Sequence, residues 1–372
     1  MSRLQFSHGL NIVISTTFVS LLAMPIVGPA LPVMQEQFSI SNRDIGWVVM
    51  STYTLPALFF VPIFGYLADR FGKRAVLLPT MILFSLCGGA ISLAPNTETI
   101  IVLRFFQGIG ASAIATLNMA LVPDLFSGRN RLTVMGWTGV VQGIGAGLLP
   151  LIGGLLALLT WYLPFMVALV GLPLSIYVYL YLKNSQPAEK ARKSSYAAHA
   201  WKHLADHRVI QLCFFTFGYI FVGFGAFVSY IPSFLSTTYG SGPLLIGIII
   251  SARAISGALT ASFLNRLTLR FSSRTLIASS FLVLGLGITS IPFATGPFGV
   301  IFAAFCYGAG FGITRPLIQV YLFELSPTDL RATFASANGV ALRFAQTLSP
   351  LSAGFLISWT SFDEMYLVAG AI

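Results

Sequence analysis

Long apolar runs follow one another along almost the whole chain of 372 residues, and they limit the possible folds more than any other feature. A helix that crosses a bilayer core needs about 20 apolar residues. About twelve segments meet this requirement: residues 10–34, 45–68, 75–94, 98–122, 132–157, 160–182, 209–235, 243–264, 273–293, 296–322, 331–357 and a last one from about 363. Charged residues make up only 9% of the chain. The sequence therefore predicts an all-α, multi-pass membrane protein that has lipid as its main surroundings.

The lysines and arginines between these segments are distributed unevenly. If the N-terminus is cytoplasmic, sixteen of the 21 basic residues fall in cytoplasmic loops, and Arg43 alone falls on the opposite side. Basic residues in short loops mark the cytoplasmic side of a membrane protein. We therefore predict a cell-membrane protein with a cytoplasmic N-terminus. This topology accounts for the net charge of +10 without a nucleic-acid partner.

The chain also repeats itself at an offset of 200 residues without a gap. The matching pairs include Pro32 and Pro232, Arg70 and Arg270, Gly108 and Gly308, and Pro150 and Pro350. The repeat predicts an N-terminal six-helix bundle over residues 1–182, a cytoplasmic linker over 183–208 and a C-terminal bundle over 209–372. Parallel halves of this kind are a transporter architecture with the substrate site between them. In this register helix 12 ends about ten residues early, so we expect it to be truncated.

The loop between the second and third segments has the sequence Gly-Tyr-Leu-Ala-Asp-Arg-Phe-Gly-Lys-Arg. It resembles the signature loop of the major facilitator superfamily, G-x-L-A-D-R-x-G-R/K-R/K, at every defined position. The resemblance implies the major facilitator fold, with two six-helix bundles related by pseudo-two-fold symmetry. It also implies a gating motif made of Gly65, Asp69, Arg70, Gly72, Lys73 and Arg74. Asp69 would face the start of helix 11, where the helix dipole favours a carboxylate. The alternative is that the loop only anchors the topology.

Glycines in this loop have expected structural roles as well. Gly65 is expected to let helix 2 approach a neighbouring helix closely, and Gly72 is expected to permit a tight turn.

Two further segments have patterns that resemble motifs of the same family. Arg104 and Gln107 belong to a stretch similar to R-x-x-Q-G-x-G, and their spacing puts them on one face of helix 4. Helix 5 resembles the G-x-x-x-G-P-x-x-G-G motif of the family's antiporters, except that Leu149 replaces a glycine. The matching residues of that helix are Gly145, Pro150, Gly153 and Gly154. This resemblance implies export, and the alternative is that the glycines serve helix packing alone.

Four arginines lie inside apolar segments, whereas all eleven acidic residues lie in loops or at helix ends. The predicted substrate and coupling residues are Arg104, Gln107, Gln142, Arg253, Arg315 and Arg343. Charges within a membrane normally face a cavity or a partner. We therefore predict an anionic small-molecule substrate, bound by guanidinium groups, with Tyr219 and Tyr307 against its apolar part. The alternative is that backbone carbonyls or carboxylates at the helix ends meet the arginines and leave a neutral cavity.

The resemblance covers the whole chain and points to the twelve-helix drug:proton antiporter branch. It implies a monomeric secondary transporter of the cell (inner) membrane that exports drugs or metabolites by alternating access, with protons as the coupling ion. An uptake symporter on the same fold, and a non-transporting sensor or inactive truncated member, remain as alternatives. The sequence has no nucleophile–base set, nucleotide-binding loop or metal-ligand spacing. We therefore expect neither enzymatic activity, nor a cofactor, nor a metal.

Overall fold

The computed structural model describes residues 3–183, 203–327 and 330–372, and within these ranges the chain is helical and forms no β-strand. The helices are numbered in chain order: α1, in two parts, Arg3–Leu21 and Leu31–Phe38; α2, Trp47–Phe71; α3, Lys73–Leu93; α4, Thr97–Leu125; α5, Gly128–Leu159; α6, Leu163–Tyr181; α7, His207–Tyr239; α8, Pro243–Arg270; α9, Ser273–Thr289; α10, Pro297–Leu325; α11, Arg331–Trp359; and α12, Phe362–Ala371. The prediction of an all-helical membrane fold is confirmed.

Most of these helices can cross a membrane. Within the described residues, nine of them are long and apolar enough to do so, namely α2 to α8, α10 and α11. The first part of α1, from Phe6, and α9 are apolar but shorter, and α12 has ten residues. The predicted segments match the helices to within several residues at most ends, because apolar length is what the bilayer selects.

The predicted segment 10–34 consists of two helical parts rather than one continuous helix. The parts are joined by a series of turns that ends in the 3-10 turn Gly28–Ala30. Pro25 and Pro29 lie in this connection, and neither has a backbone N–H to donate to a preceding carbonyl. The prolines therefore interrupt the hydrogen-bond ladder of α1 and leave carbonyl oxygens available to other helices.

Contacts between residues divide the chain into two units. Unit 1 comprises Met1–Ser41, Val48–Glu189 and Gly242–Gly247, and unit 2 comprises Asn42–Trp47, Lys190–Ser241 and Ile248–Ile372. Unit 1 thus contains α1 to α6, except Trp47 at the start of α2, with the first turn of α8. Unit 2 contains the short segment Asn42–Trp47 and the rest of α8 with α7 and α9 to α12. The predicted linker, 183–208, lies largely outside the described residues, so its bounds stay a prediction.

Glycines on α4 and α10 bring helices close together in the same way in each unit. In unit 1, a Cβ at Gly108 would collide with the backbone carbonyl of Tyr53 on α2. In unit 2, a Cβ at Gly308 would collide with the backbone carbonyl of Arg253 on α8. The contacting carbonyls are themselves 200 residues apart, as the glycines are. The internal repeat is therefore expressed as the same helix packing within each unit.

A second glycine pair extends this correspondence. A Cβ at Gly110 would lie 2.6 Å from the carbonyl oxygen of Thr80 on α3, and a Cβ at Gly310 would lie 2.7 Å from that of Ser280 on α9. Small residues of this kind let membrane helices approach backbone to backbone. The Gly-x-Gly pattern of α4 therefore serves helix packing.

Candidate functional site

The loop between α2 and α3 is a sharp turn built on one glycine. Gly72 has φ +90°, a backbone conformation that favours glycine, and its N–H donates to the carbonyl of Ala68, 3.0 Å away, where α2 ends. The predicted turn at Gly72 is confirmed. The expected close approach at Gly65 is not found, because no described atom outside its own stretch of helix lies within 4 Å of a Cβ built there.

The basic end of this motif is tied to neighbouring helices of unit 1. The Lys73 ammonium lies 2.6 Å from Oδ2 of Asp124 and also donates to the carbonyl of Ala120, 2.7 Å away, at the end of α4. The Arg74 guanidinium lies 4.5 Å from the centre of the Tyr179 ring on α6. These contacts fix the start of α3 against α4 and α6. Sequence reasoning did not single out Asp124, which lies 51 positions after its partner.

The acidic part of the motif remains open to solvent within unit 1. Asp69 and Arg70 are both exposed. The Arg70 guanidinium contacts the Tyr66 hydroxyl at 3.4 Å and lies 5.4 Å from the centre of the Phe71 ring. Asp69 is predicted to face the start of helix 11, and residues 328 and 329 just before that helix lie outside the described residues, so the gating contact stays a prediction.

The same end of unit 1 contains the N-terminal part of α1. Phe6 packs edge-on against Phe126, which follows α4, with ring centres 5.5 Å apart. His8 stacks on Tyr181 at the end of α6, with ring centres 4.2 Å apart. The basic loop between α2 and α3 therefore lies at the same end of unit 1 as the beginning of the chain, as the predicted topology requires.

The glycines of the α5 motif lie where α5 approaches other backbones. A Cβ at Gly153 would collide with the carbonyl of Ile26 in the interrupted part of α1. A Cβ at Gly154 would lie 2.6 Å from the carbonyl oxygen of Pro243, in the first turn of α8, and one at Gly145 would lie 2.7 Å from Leu21. Leu149 and Pro150 are buried on the same helix. The motif is thus a packing surface for α1 and for the first turn of α8.

Arg104 is fully enclosed within unit 1. Its Nη1 donates to Oε1 of Gln107 at 2.9 Å and to the carbonyl of Ala23 at 3.2 Å, and its guanidinium carbon lies 5.3 Å from the centre of the Tyr53 ring and 5.0 Å from that of Phe165. Ala23 lies just before the prolines that interrupt α1, where Val27 donates to Met24 instead. The break in α1 thus frees a carbonyl for this arginine. The predicted shared face of Arg104 and Gln107 is confirmed.

Two atoms of this guanidinium, Nε and Nη2 of Arg104, have no hydrogen-bond partner among the described residues. Gln142, which was predicted to share the site, is half-buried on α5 and is not bonded to Arg104. The buried charge of Arg104 is therefore stabilised by one side-chain amide, one backbone carbonyl and two aromatic faces.

Arg343 on α11 has a similar local arrangement within unit 2. Its Nη1 donates to Oε1 of Gln346 at 3.0 Å, across the same three-residue spacing as Arg104 and Gln107. Arg343 is half-buried, in contrast to Arg104. The shared Arg-x-x-Gln spacing is visible in the sequence and could have indicated this second pair.

Arg253 and Arg315 form a third group, also within unit 2. The Arg253 guanidinium lies between three rings, with its carbon 5.8 Å from the centre of Phe227, 5.9 Å from Tyr307 and 5.6 Å from Phe311. Arg315 is exposed on α10 and interacts electrostatically with Arg253. The four membrane arginines thus belong to three separate groups rather than to one cluster in either unit.

The described part of the chain has no group of three or more His, Cys, Asp or Glu side chains that could bind a metal ion. The three cysteines, Cys87, Cys213 and Cys306, are free thiols.

Comparison with known proteins places this geometry among membrane transporters. The sequence profile of the Major Facilitator Superfamily matches residues 13–350. The chain is 24% identical over 361 residues to the quinolone resistance protein NorA of Staphylococcus aureus (strain MSSA476), covering 95% of this chain and 91% of that protein. It is 31% identical over 159 residues to the bacillibactin exporter of Bacillus subtilis (strain 168), covering 41% of this chain and 39% of that protein.

Solved structures of similar fold include both symporters and other transporters. A D-xylose–proton symporter superposes with a TM-score of 0.79 at 16% identity, covering 100% of this chain and 97% of that one. A point mutant of the nucleoside transporter NupG superposes with a TM-score of 0.78 at 15% identity, covering 98% and 96% of the two chains. At these identities the likeness concerns the fold alone.

Proposed function

Because the chain belongs to the Major Facilitator Superfamily, we propose that it is a secondary transporter that exports small molecules in exchange for protons by alternating access. Its surroundings are the lipid bilayer, and its cargo is a drug or metabolite of low molecular weight. It resides as a monomer in the cell membrane, with the N-terminus in the cytoplasm. The predicted bundles, 1–182 and 209–372, are the two halves of the mechanism.

The packing surface of α5 is the observation that favours export over uptake. Gly145, Pro150, Gly153 and Gly154 match the antiporter-type motif, and the glycines lie against α1 and the first turn of α8. We propose that this backbone-to-backbone packing keeps that side of unit 1 closed to solutes and protons. The relatives named as a quinolone resistance protein and as a bacillibactin exporter support the same direction of transport.

We assign the buried group around Arg104 to substrate binding and coupling, in which Arg104 supplies a fixed positive charge and does not itself carry the transported proton. Two nitrogen atoms of this guanidinium have no hydrogen-bond partner in an apolar environment. A conformational step that brings them a new acceptor therefore lowers the free energy of the protein. Gln107 orients this charge and Tyr53 borders it, so a movement of α2 against α4 changes its environment.

We assign the loop from Gly65 to Arg74 to gating, with Asp69 as its exposed acidic group.

Uptake by symport is the second candidate, because a D-xylose–proton symporter has a closely similar fold. The two candidates differ in the direction of substrate flux in cells. We propose to express the protein in a bacterial host that lacks its own major efflux pumps and to measure the accumulation of norfloxacin, a quinolone. Export predicts lower accumulation than in the empty-vector host, and a protonophore should abolish the difference.

The matched variants for this assay are Gly153→Ala, which disturbs the α5 packing surface, and Gly143→Ala, which meets no described atom within 4 Å. Export by the proposed mechanism requires that the first variant accumulate more norfloxacin than wild type while the second behaves like it. Higher accumulation in cells with the wild-type protein than in the empty-vector host would favour uptake instead.

A further inference from the structure

Arg253 is surrounded by aromatic faces rather than by acceptors. Its guanidinium carbon lies between 5.6 and 5.9 Å from the centres of Phe227, Tyr307 and Phe311. Aromatic faces attract a cation, although more weakly than a carboxylate does. Its Nε has no hydrogen-bond partner among the described residues. The guanidinium therefore retains the capacity to bind an acceptor that the protein does not supply.

Arg315 lies on the same stripe of α10 as two of these rings. Tyr307, Phe311 and Arg315 follow at intervals of four residues, which keeps them on one stripe of the helix. The exposed apolar side chains of α10, which are predicted to face lipid, are Phe298, Phe302, Phe305, Val320 and Phe323. At 3.6 residues per turn, Arg315 lies roughly 80° or more around the helix from all of them. Phe311 and Tyr307 lie about 40° and 80° to the other side of Arg315, so Arg315 lies between the apolar side of α10 and the side that carries the two rings.

The two arginines repel one another and have no acidic partner among the residues that the structure describes. Arg315 interacts unfavourably with Arg253, and neither forms an ion pair with any carboxylate in the described part of the chain. The described acidic residues all lie in loops or in the first or last turns of helices: Glu36, Asp44, Asp69, Glu98, Asp124, Asp206, Glu324, Asp363 and Glu364. Two like charges in an apolar surrounding are unfavourable unless an anion neutralises them.

The neighbouring rings form one aromatic cluster, in which Tyr219, Phe227 and Tyr307 are buried and Phe311 is half-buried. Phe227 stacks on Tyr307 with ring centres 5.2 Å apart, and Tyr219 meets Phe311 edge-on at 5.6 Å. Tyr307 reaches α7 beside Gly223, where a Cβ would collide with the Tyr307 hydroxyl. Gly223 begins the π-helical turn Gly223–Ser229, and such turns are frequent at functional sites. The glycine thus allows the ring of Tyr307 to lie beside both Phe227 and Arg253.

We propose that Arg253 and Arg315 form an anion-recognition subsite within unit 2, and that the transporter selects solutes that combine an aromatic ring with a carboxylate or similar anionic group. This preference rests on the proposed transport function and names its substrate class. Arg315 binds the anionic group first because it is exposed, and Arg253 contributes its free donor and its aromatic surroundings. Arg104 and Arg343 are not part of the subsite, because each already donates to a glutamine side chain.

Equilibrium binding of three fluorescent compounds with one ring system tests this subsite. Dansylglycine is anionic, dansylamide neutral and dansylcadaverine cationic at neutral pH. Each is titrated into the purified full-length protein in lipid nanodiscs. We expect wild type to bind dansylglycine at least about tenfold more tightly than dansylcadaverine, which corresponds to one hydrogen bond to a charged group.

The variants separate charge recognition from folding. Arg315→Gln, at an exposed position, should lower the affinity for dansylglycine by about tenfold and leave that for dansylamide unchanged. Arg315→Lys should retain most of the preference for the anion. Arg270→Gln, an exposed arginine in the last turn of α8, is the matched control and should bind all three compounds as wild type does.

The inference is overturned if wild type shows no preference for dansylglycine, or if Arg315→Gln weakens all three compounds equally. Failure of this inference is distinct from failure of the proposed function. A charge preference in binding without proton-driven export would contradict only the export mechanism. Proton-driven export without a charge preference would contradict only the subsite.

Discussion

The ammonium group of Lys73 lies 2.6 Å from the carboxylate of Asp124, which joins the first residue of α3 to the last turn of α4. Lys73 is largely shielded from solvent, with 16% of its side chain exposed, whereas 37% of the Asp124 side chain is exposed. The pair thus holds one side of the signature loop against its neighbour, while Asp69 on the other side of the loop is exposed.

A double-mutant cycle on this pair should give a measurable coupling. The cycle compares the free energies of unfolding of wild type, Lys73→Met, Asp124→Asn and the double variant. The coupling energy of the pair should be about 0.5–1 kcal/mol, which is the upper end of the range for partly exposed ion pairs. Arg43 and Asp44 provide the control, since they are 3.9 Å apart and more exposed, and their coupling should be close to zero. Equal couplings for the two pairs, measured from unfolding in mild detergent, would show that the Lys73–Asp124 contact does not fix the loop.

The hydrogen bond between Arg104 and Gln107 should stabilise unit 1 more than the corresponding bond stabilises unit 2. Replacing Gln107 with leucine removes an acceptor from a fully buried guanidinium, so we expect a loss of about 2 kcal/mol in the free energy of unfolding. Gln346→Leu removes the same type of partner from the half-buried Arg343 and should be less destabilising, because solvent or lipid headgroups can replace it. Thermal unfolding followed by tryptophan fluorescence compares the two variants, and an equal loss would argue against the special burial of Arg104.

Alanine should be tolerated at one pair of glycines related by the offset of 200 and should destabilise the protein at another pair, which packs α4 and α10 against their neighbours. Gly108→Ala and Gly308→Ala each place a methyl group against a backbone carbonyl and should each destabilise the protein by about 1–3 kcal/mol. Gly139→Ala and Gly339→Ala, at another repeated pair, meet no described atom within 4 Å and should be neutral or slightly stabilising, because alanine favours helix more than glycine does. The measurement is the melting temperature by size-exclusion chromatography. Tolerance of alanine at either Gly108 or Gly308 would contradict the shared packing.

The packing surface of α5 should affect transport as well as stability. Gly153→Ala introduces a methyl group against the Ile26 carbonyl, at a strain of about 1–3 kcal/mol. We expect this strain to lower the yield of folded protein by about tenfold or more. We expect the transport rate of the protein that does fold to fall by a similar factor. Gly143→Ala on the same helix should leave both unchanged. Transport should be normalised to folded protein, and an unchanged normalised rate in Gly153→Ala would limit the motif to stability.

The sequence predicts the helical segments well, because apolar length and the positions of basic residues are local properties that the bilayer selects directly. The turn at Gly72 and the shared face of Arg104 and Gln107 could be predicted for the same reason, since both depend on spacing along a single segment. The interruption of α1 was also detectable in principle, from Pro25 and Pro29.

Contacts between distant segments could not be predicted in this way. Asp124 pairs with Lys73 through the packing of α3 on α4, and the rings around Arg253 come from α7 and α10. Arg253 lies against aromatic faces, whereas Arg104 donates a hydrogen bond to a backbone carbonyl. Nothing in the local sequence of α8 or α4 indicates this difference. At Gly65 the motif predicted a contact that the structure does not contain. No described atom outside its own stretch of helix lies within 4 Å of a Cβ built at this position on α2.

Proton movement in everted membrane vesicles shows whether the protein exchanges its substrate for protons. The vesicles are energised to an acidic interior, and a pH-sensitive dye follows the lumen when norfloxacin or dansylglycine is added outside. Exchange predicts that an added substrate makes the interior less acidic, and that vesicles with Gly153→Ala respond less than those with Gly143→Ala. If the wild-type protein transports the added compound without any alkalinisation of the lumen, it does not exchange substrate for protons.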